Sequence, residues 1–234
     1  MGYFKEKIRR LIHGYYYNTD TYTDHLRSLG TKIGKGTIVF SPRNTIIDAT
    51  RPWLITIGDN VQITDGVKIL THGYDWSVIK GVNGEILGSA GEVVIGDNVF
   101  IGTNATILKG THIGSDVIIG ANSLVNKDIP DNCVAAGNPC KVIMSLDEYY
   151  EKRKAAQVKE AEELVRTYRA RYGKEPDAKA LDEFFWLFCD GDSELAPEWK
   201  QQMHNLRNDD LSYAALKKNH KKYKDMDEFL KSVK

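Results

Sequence analysis

Cysteine is scarce in this sequence, whose 234 residues contain three, Cys133, Cys140 and Cys189, without a Cys-x-x-Cys pair. Cysteine-ligated zinc sites and disulfide scaffolds need more cysteines at closer spacing. Three cysteines can form at most one disulfide bond, which would leave one thiol unpaired. We therefore expect a reducing, cytoplasmic setting.

Net charge and long apolar runs are missing as well. The 32 Lys and Arg residues equal the 32 Asp and Glu residues, which argues against a nucleic-acid partner. No run of eighteen apolar residues predicts a transmembrane helix. The opening letters MGYFKEKIRRL lack the apolar region of a secretory signal. These absences fit the cytoplasmic expectation.

Glycine and charge are distributed unevenly along the chain. Sixteen of the 20 glycines lie between Gly30 and Gly137, whereas 37 of the 64 charged side chains lie in the last 90 residues. Glycine punctuates strands, and Glu, Lys, Ala and Leu favour helices. We predict a helical or irregular segment over 1–29, a β-rich domain over 30–144 and a helical extension over 145–234.

A six-residue repeat runs through the β-rich part. It reads IGDNVQ, ITDGVK, ILTHGY from Ile57 and IGDNVF, IGTNAT, ILKGTH, IGSDVI, IGANSL, VNKDIP from Ile95. The first position is Ile or Val in all nine hexads, and the fourth is Gly, Asn, Asp or His. These fourth residues tolerate left-handed backbone angles best. The pattern predicts short strands with inward Ile or Val and a tight corner at the fourth position.

Three such hexads make one coil of eighteen residues. Stacked coils would form parallel strands about 4.8 Å apart around one apolar column. A helical alternative fails because glycine would recur inside every proposed helix. The sequence therefore predicts a mainly β fold, a parallel β-helix.

These hexads resemble those of the hexapeptide-repeat acyltransferases, whose fold is a left-handed parallel β-helix. The resemblance covers roughly 30–145, and the stretch IGANSLVNKDIPDNCVAAGNPCKVI is similar to the β-helix end of maltose/galactoside-type and capsule-polysaccharide O-acetyltransferases. It implies left-handedness, acetyl-CoA as co-substrate, a carbohydrate hydroxyl as acceptor, and a homotrimer with active sites between subunits. The acceptor it suggests is a cell-surface polysaccharide or its precursor.

His72 stands where the repeat is interrupted, before an insertion over 75–94 that we interpret as a polar loop. Histidine tolerates a corner conformation, so His72 could be a turn residue. The run ILTHGYDWS, however, resembles the family segment that supplies the catalytic general base. Asp75 would then orient His72. Trp76 could donate to the oxyanion, or pack against the wall of the β-helix.

The same resemblance implies a path for acetyl-CoA. Thr103 and Ala121, eighteen positions apart, match positions that contact the pantetheine arm. Asn126 and Lys127 match a pair near the end of the groove, with Asn in place of the usual Thr. Lys141 matches a basic residue near the nucleotide phosphates. Solvated surface lysines are the alternative for Lys127 and Lys141.

Three other functions are compatible with a hexapeptide repeat. A zinc-dependent carbonic anhydrase on this repeat needs about three protein ligands, but only His72 and His112 lie in the repeats. We therefore predict no metal. N-acetylation of an amino sugar or sugar nucleotide stays open, as does a non-catalytic binding scaffold.

The two ends of the chain carry helical patterns. At the start, Phe4, Ile8, Leu11 and Ile12 alternate with basic residues, which suits packing on the β-helix or contact with the inner membrane face. At the other end, Ser145 to Glu148 forms a capping-box pattern, followed by apolar residues at helical spacing up to a stop at Gly173.

The extension is predicted to contain three or four helices, and the candidates after this first helix are 181–188, 196–206 and 211–218. We interpret the aromatic run in 181–188 as core or subunit contact, with glycan binding as the alternative.

Overall fold

The computed structural model describes residues 12–234. The chain divides into two compact units, one ending at Tyr149 and the other comprising Tyr150–Lys234. Of the predicted basic amphipathic segment, only Ile12 is described, and it is 68% exposed; the rest falls on residues 1–11, outside the described residues. In the described part of the chain, no helix is both long enough and apolar enough to cross a membrane.

In the first unit, a 3-10 turn, Gly14–Tyr16, precedes helix α1, Thr19–Leu29. Asn18 and Thr21 form a reciprocal capping box at its start, and Gly30, with φ of 113°, ends it. Tyr22 and Leu26 are buried in the same core cluster as the strands that follow. The helix therefore packs on that core.

The strands of this unit are short. In chain order they are β1 Lys32–Ile33, β2 Ile38–Val39, β3 Ile46–Ile47, β4 Ile55–Ile57, β5 Gln62–Ile63, β6 Lys68–Ile69, β7 His72–Gly73, β8 Ser89–Ala90, β9 Val93–Ile95, β10 Val99–Ile101, β11 Thr106–Ile107, β12 Thr111–Ile113, β13 Val117–Ile119, β14 Leu124–Val125, β15 Cys133–Ala136 and β16 Lys141–Ser145.

Most of these strands form three parallel faces. Face A contains β1, β4, β9 and β12, face B contains β2, β5, β10, β13 and β15, and face C contains β3, β6, β11 and β14. Strand β16 extends face B by pairing antiparallel with β15. Val99 pairs with Val117 and Thr106 with Leu124, each eighteen positions further on. The predicted parallel β-helix with eighteen-residue coils is confirmed.

The inward and corner positions follow the hexad prediction. All nine first-position residues are buried, at 2% exposure or less. Burial of one such side chain contributes about 1.5–3 kcal/mol to folding. Seven of the nine fourth-position residues have positive φ: Asn60, Gly66, Asn98, Asn104, Gly110, Asp116 and Asn122. His72 and Asp128 are the two without it.

The three faces meet at edges, two of which matter for the site. The C–A edge joins face C to face A and consists of residues 48–54, 70–92, 108–110 and 126–128. The B–C edge joins face B to face C and consists of 40–45, 64–67, 102–105 and 120–123.

The insertion on the C–A edge is more ordered than the predicted loop. It contains helix α2, Trp76–Asn83, which Gly84 ends with φ of 81°, and strand β8, which pairs antiparallel with β7. A helix of eight residues presents too short a period to be recognised from sequence. The loop prediction over 75–94 is therefore wrong for these stretches.

The second unit is helical and has its own core. Helix α3, Leu146–Tyr172, begins at the capping box, where Ser145 and Glu148 bond reciprocally, and Gly173 follows with φ of 63°. Helices α4 Pro197–His204, α5 Asp209–Leu216 and α6 Met226–Ser232 follow.

The aromatic run of the second unit is part of its core. Phe185 and Phe188 are each 2% exposed and pack with Trp199 and Phe229. The core prediction for this run is confirmed, but the predicted helix over 181–188 is wrong. A single 3-10 turn, Phe185–Leu187, occupies it, because the packing of the aromatic side chains overrides the weak local preference for a helix.

Candidate active site

His72 lies in a strand at the root of the insertion. It pairs with Ala90 across the two-stranded ribbon of β7 and β8, and it is absent from the residues with positive φ. The alternative that His72 serves as a left-handed corner residue is therefore wrong. Its side chain is 30% exposed, so the imidazole reaches solvent on the C–A edge.

The imidazole is held by a carboxylate that the sequence did not reveal. His72 Nδ1 lies 2.7 Å from Asp48 Oδ2. Asp48 follows β3, and its backbone N–H donates to the Ile69 carbonyl, three residues before His72. Parallel stacking of two coils thus brings together residues 24 positions apart.

Asp48 is buried and saturated with donors. Its exposed fraction is 7%. Oδ1 accepts from the Thr50 N–H at 3.0 Å and the Thr50 hydroxyl at 2.7 Å. Oδ2 accepts from the Thr71 N–H at 3.3 Å and from the Thr71 hydroxyl. These bonds fix the carboxylate rigidly beside His72.

The hydrogen bonds also set the charge of Asp48. Burial by itself raises the pKa of this carboxyl, but the bonds from Thr50, Thr71 and His72 outweigh it and hold the pKa well below its usual range. Asp48 is therefore ionised at neutral pH. Since a carboxylate only accepts, His72 Nδ1 must donate, and the neutral imidazole carries its lone pair on Nε2.

Asp75, predicted to orient His72, is placed elsewhere. It precedes α2, and its carboxylate lies beside the Cα of Gly73. The orienting contact on Nδ1 belongs to Asp48, so the Asp75 prediction is corrected. The reason is that a residue three positions away along a turning chain points to another side, whereas the stacked coil below is in register.

Trp76 is the first residue of α2 and is partly exposed. Its ring packs against that of Tyr74, with centroids 4.7 Å apart. Tyr74 itself is 70% exposed. An oxyanion role for Trp76 remains a prediction.

Four of the five residues predicted to bind acetyl-CoA divide between two edges, and the fifth, Lys141, is the first residue of β16. Thr103 and Ala121 are exposed neighbours on the B–C edge, where the Asn122 N–H donates to the Thr103 carbonyl at 2.8 Å. Lys141 pairs with Ala136 at the end of β15, also exposed.

Asn126 and Lys127 lie instead on the C–A edge, two coils beyond His72, and both are exposed. Face C separates this edge from Thr103 and Ala121 by about 15–20 Å, since an extended chain advances about 3.3 Å per residue. One chain therefore does not bring the predicted pantetheine contacts next to its own His72.

The described residues 12–234 contain no cluster of candidate metal ligands. No group of three or more His, Cys, Asp or Glu side chains is placed to hold an ion there. His112 lies on face A, two coils from the hexad of His72. The absence of a metal cofactor remains a prediction.

Comparison with known proteins identifies the repeats. The family described as bacterial transferase hexapeptide (six repeats) matches residues 92–127. That stretch includes Thr103, Ala121, Asn126 and Lys127, whereas His72 and Asp48 precede it.

Three relatives are similar over about half of this chain. Protein CapG of Staphylococcus aureus is 42% identical over 127 residues, covering 54% of this chain and 72% of CapG. Galactoside O-acetyltransferase of Escherichia coli K12 is 39% identical over 122 residues, 52% of this chain and 58% of that protein. An Escherichia coli K12 protein named for colanic acid biosynthesis acetyltransferase activity is 32% identical over 133 residues, 50% and 71% of the two chains.

The matches thus span less than two thirds of the galactoside enzyme. They confirm the predicted repeat family and its fold class, a left-handed parallel β-helix with a C-terminal helical extension.

Proposed function

Because this chain belongs to the bacterial transferase hexapeptide family, we propose that it transfers an acetyl group from acetyl-CoA to a carbohydrate hydroxyl. The acceptor is a cell-surface polysaccharide or its precursor. This acceptor class is supported by the names of the galactoside and colanic acid relatives. The observation that carries the proposal is the contact between His72 and buried, ionised Asp48.

In this reaction His72 Nε2 takes the proton of the acceptor hydroxyl as its oxygen attacks the thioester carbonyl. Asp48 stabilises the imidazolium that forms. When the tetrahedral intermediate collapses, the carbon–sulfur bond breaks and the imidazolium returns the proton to the CoA sulfur. A backbone N–H of the stacked corners or the Trp76 indole would donate to the oxyanion.

Direct transfer without an acyl-enzyme fits the thiols of this chain. Cys133, Cys140 and Cys189 are all buried. Burial raises the pKa of each thiol, that of Cys189 to about 11, so none supplies a thiolate near neutral pH. Reduced buried thiols also suit the cytoplasmic setting that we propose.

The division of the acetyl-CoA residues between two edges supports a homotrimer. With Thr103 and Ala121 about 15–20 Å from their own C–A edge, a second copy must place its B–C edge beside His72. A ring of three copies repeats this unlike contact and closes it. Each active site then uses residues from two subunits.

A thiol-release assay with acetyl-CoA and a panel of neutral and acidic glycans tests the proposed activity. We expect acceptor-dependent CoA release and an acetylated glycan whose new bond is cleaved by alkaline hydroxylamine, as an ester bond is. A hydroxylamine-stable amide would establish N-acetylation of an amino sugar instead. No turnover with any glycan would favour the non-catalytic scaffold.

Mixed subunits test the shared site. His72→Gln should remove the general base from the C–A edge. Thr103→Trp should block acetyl-CoA binding on the B–C edge. Unfolding and refolding the two inactive variants together at equal amounts should restore about a quarter of wild-type activity, because one contact in four then pairs two intact edges. Trimers formed from either variant alone are the control, and no recovery in the mixture would place the whole site on one chain.

A further inference from the structure

Arg51 carries a buried nitrogen without a partner. Within residues 12–234, two buried side-chain polar atoms lack a hydrogen bond, the Thr31 hydroxyl and Arg51 Nη1, and only the second belongs to a charged group. Arg51 is partly exposed as a residue. It has no ion pair among the described residues, so the structure leaves its charge without a counter-ion.

The acidic residue nearest to Arg51 in sequence does not form an ion pair with it. Asp48 lies three residues before it, but both oxygens of Asp48 are taken by Thr50, Thr71 and His72. A guanidinium nitrogen shielded from water without an acceptor is costly, and native structures rarely retain one without a function. A guanidinium in this state gains free energy by turning to an anion that reaches the edge, and it matches a carboxylate or phosphate with two parallel bonds.

Trp53 follows Arg51 by two positions in the chain and is 68% exposed. The 3-10 turn Pro52–Leu54 holds it, with Pro52 buried and the Leu54 N–H donating to the Arg51 carbonyl at 3.0 Å. The indole is therefore presented to solvent from a fixed turn. An exposed indole face suits the apolar face of a sugar ring.

Both side chains belong to the segment that positions the base. Residues 48–54 form the C–A edge of the first coil, with Asp48 at one end and Trp53 near the other. His72 lies on the same edge in the next coil, a stacking step of about 4.8 Å. A sugar on this segment would adjoin the sugar whose hydroxyl faces His72.

We propose that Arg51 and Trp53 form an acceptor subsite for an acidic sugar, with Trp53 against the ring and Arg51 paired with its carboxylate. This inference rests on the proposed function and adds that the preferred acceptor is an anionic glycan. The phosphates of CoA offer the same anionic chemistry, so the experiment separates the two sources.

A matched pair of acceptors tests the subsite by binding alone. One is a tetrasaccharide with uronic acids at alternate positions, and the other is the same molecule with its carboxyl groups reduced to alcohols. By titration calorimetry, we expect the full-length protein to bind the acidic form about 10–100-fold more tightly, the effect of one good charged hydrogen-bonding pair. Arg51→Gln should abolish this preference, and Trp53→Ala should weaken both forms alike.

Lys109→Gln is the matched control, since it removes one positive charge from the same C–A edge two coils away from Arg51. It should preserve the preference for the acidic form. The thermal midpoint of Arg51→Gln should not fall, because the lost nitrogen makes no bond. A marked fall in the midpoint would indicate a structural role and overturn the subsite.

Three further results would overturn the proposal: equal binding of both tetrasaccharides by the wild type, weakened CoA binding by Arg51→Gln with the sugar preference intact, or dissociation of the assembly by Arg51→Gln. Selective sugar binding without acetyl transfer would leave the subsite standing and refute the proposed activity. Acetyl transfer without selectivity for the acidic form would refute the subsite and leave the proposed activity standing.

Discussion

Replacing His72 with glutamine is expected to lower kcat for acetyl transfer about 10²–10⁴-fold, the usual contribution of a general base. Glutamine can fill the site and accept a hydrogen bond, but it cannot take the hydroxyl proton near neutral pH. The KM for acetyl-CoA should change less than kcat, because His72 acts on the acceptor hydroxyl, whereas the predicted CoA contacts are made by other side chains. Steady-state kinetics with one glycan acceptor measures both constants.

His112→Gln is the control for this substitution. His112 is the other histidine of the repeats, exposed on strand β12 of face A. Its substitution should leave kcat within a factor of about two, as expected of a surface position away from the site. Equal activity of His72→Gln and wild type would show that another group removes the proton.

Asp48→Asn is expected to lower kcat about 10²–10⁴-fold, as loss of an orienting carboxylate does in other base-dependent sites. The substitution keeps the size of the side chain but removes the charge that stabilises the imidazolium. It also offers His72 an amide N–H in place of an acceptor, which favours the wrong tautomer. The KM for acetyl-CoA should stay near its wild-type value.

Two controls separate positioning from stability for Asp48. Asp65→Asn removes another edge carboxylate, one that accepts from the Asn44 amide at 3.0 Å, and it should leave kcat unchanged. Asp48→Glu keeps the charge and should recover part of the lost activity if charge beside His72 matters. A lowered thermal midpoint with full kcat in Asp48→Asn would contradict the positioning role.

The β-helix could be predicted from sequence because each hexad encodes its own strand and corner. The inward Ile101 and Ile107 belong to a signal that repeats in all nine hexads, and the left-handed Asn98 and Asn104 to one that seven of the nine share. The C-terminal unit lacks such a repeat. Its helix α6 has no pattern that predicts it, and the sequence of the short α2 in the insertion indicates a loop.

Only the part of the candidate active site that coincides with a visible sequence motif can be predicted from the sequence. His72 stands at a visible break in the repeat, whereas Asp48 lies in the first coil, where extra residues obscure the register. Pairing Ile46 with Lys68 and Ile47 with Ile69 would have placed Asp48 near Thr71 and so near the base. The partner of a side chain across stacked coils follows from register and not from distance along the chain.

Kinetics of the double variant, His72→Gln with Asp48→Asn, tests most directly the claim that Asp48 acts through His72 as the general base. Groups that work as one unit show strongly non-additive losses. We predict that kcat of the double variant lies within a factor of about two of His72→Gln alone, since nothing remains for Asp48 to orient. A further loss equal to that of Asp48→Asn in the wild-type background would show that Asp48 acts independently and contradict the account.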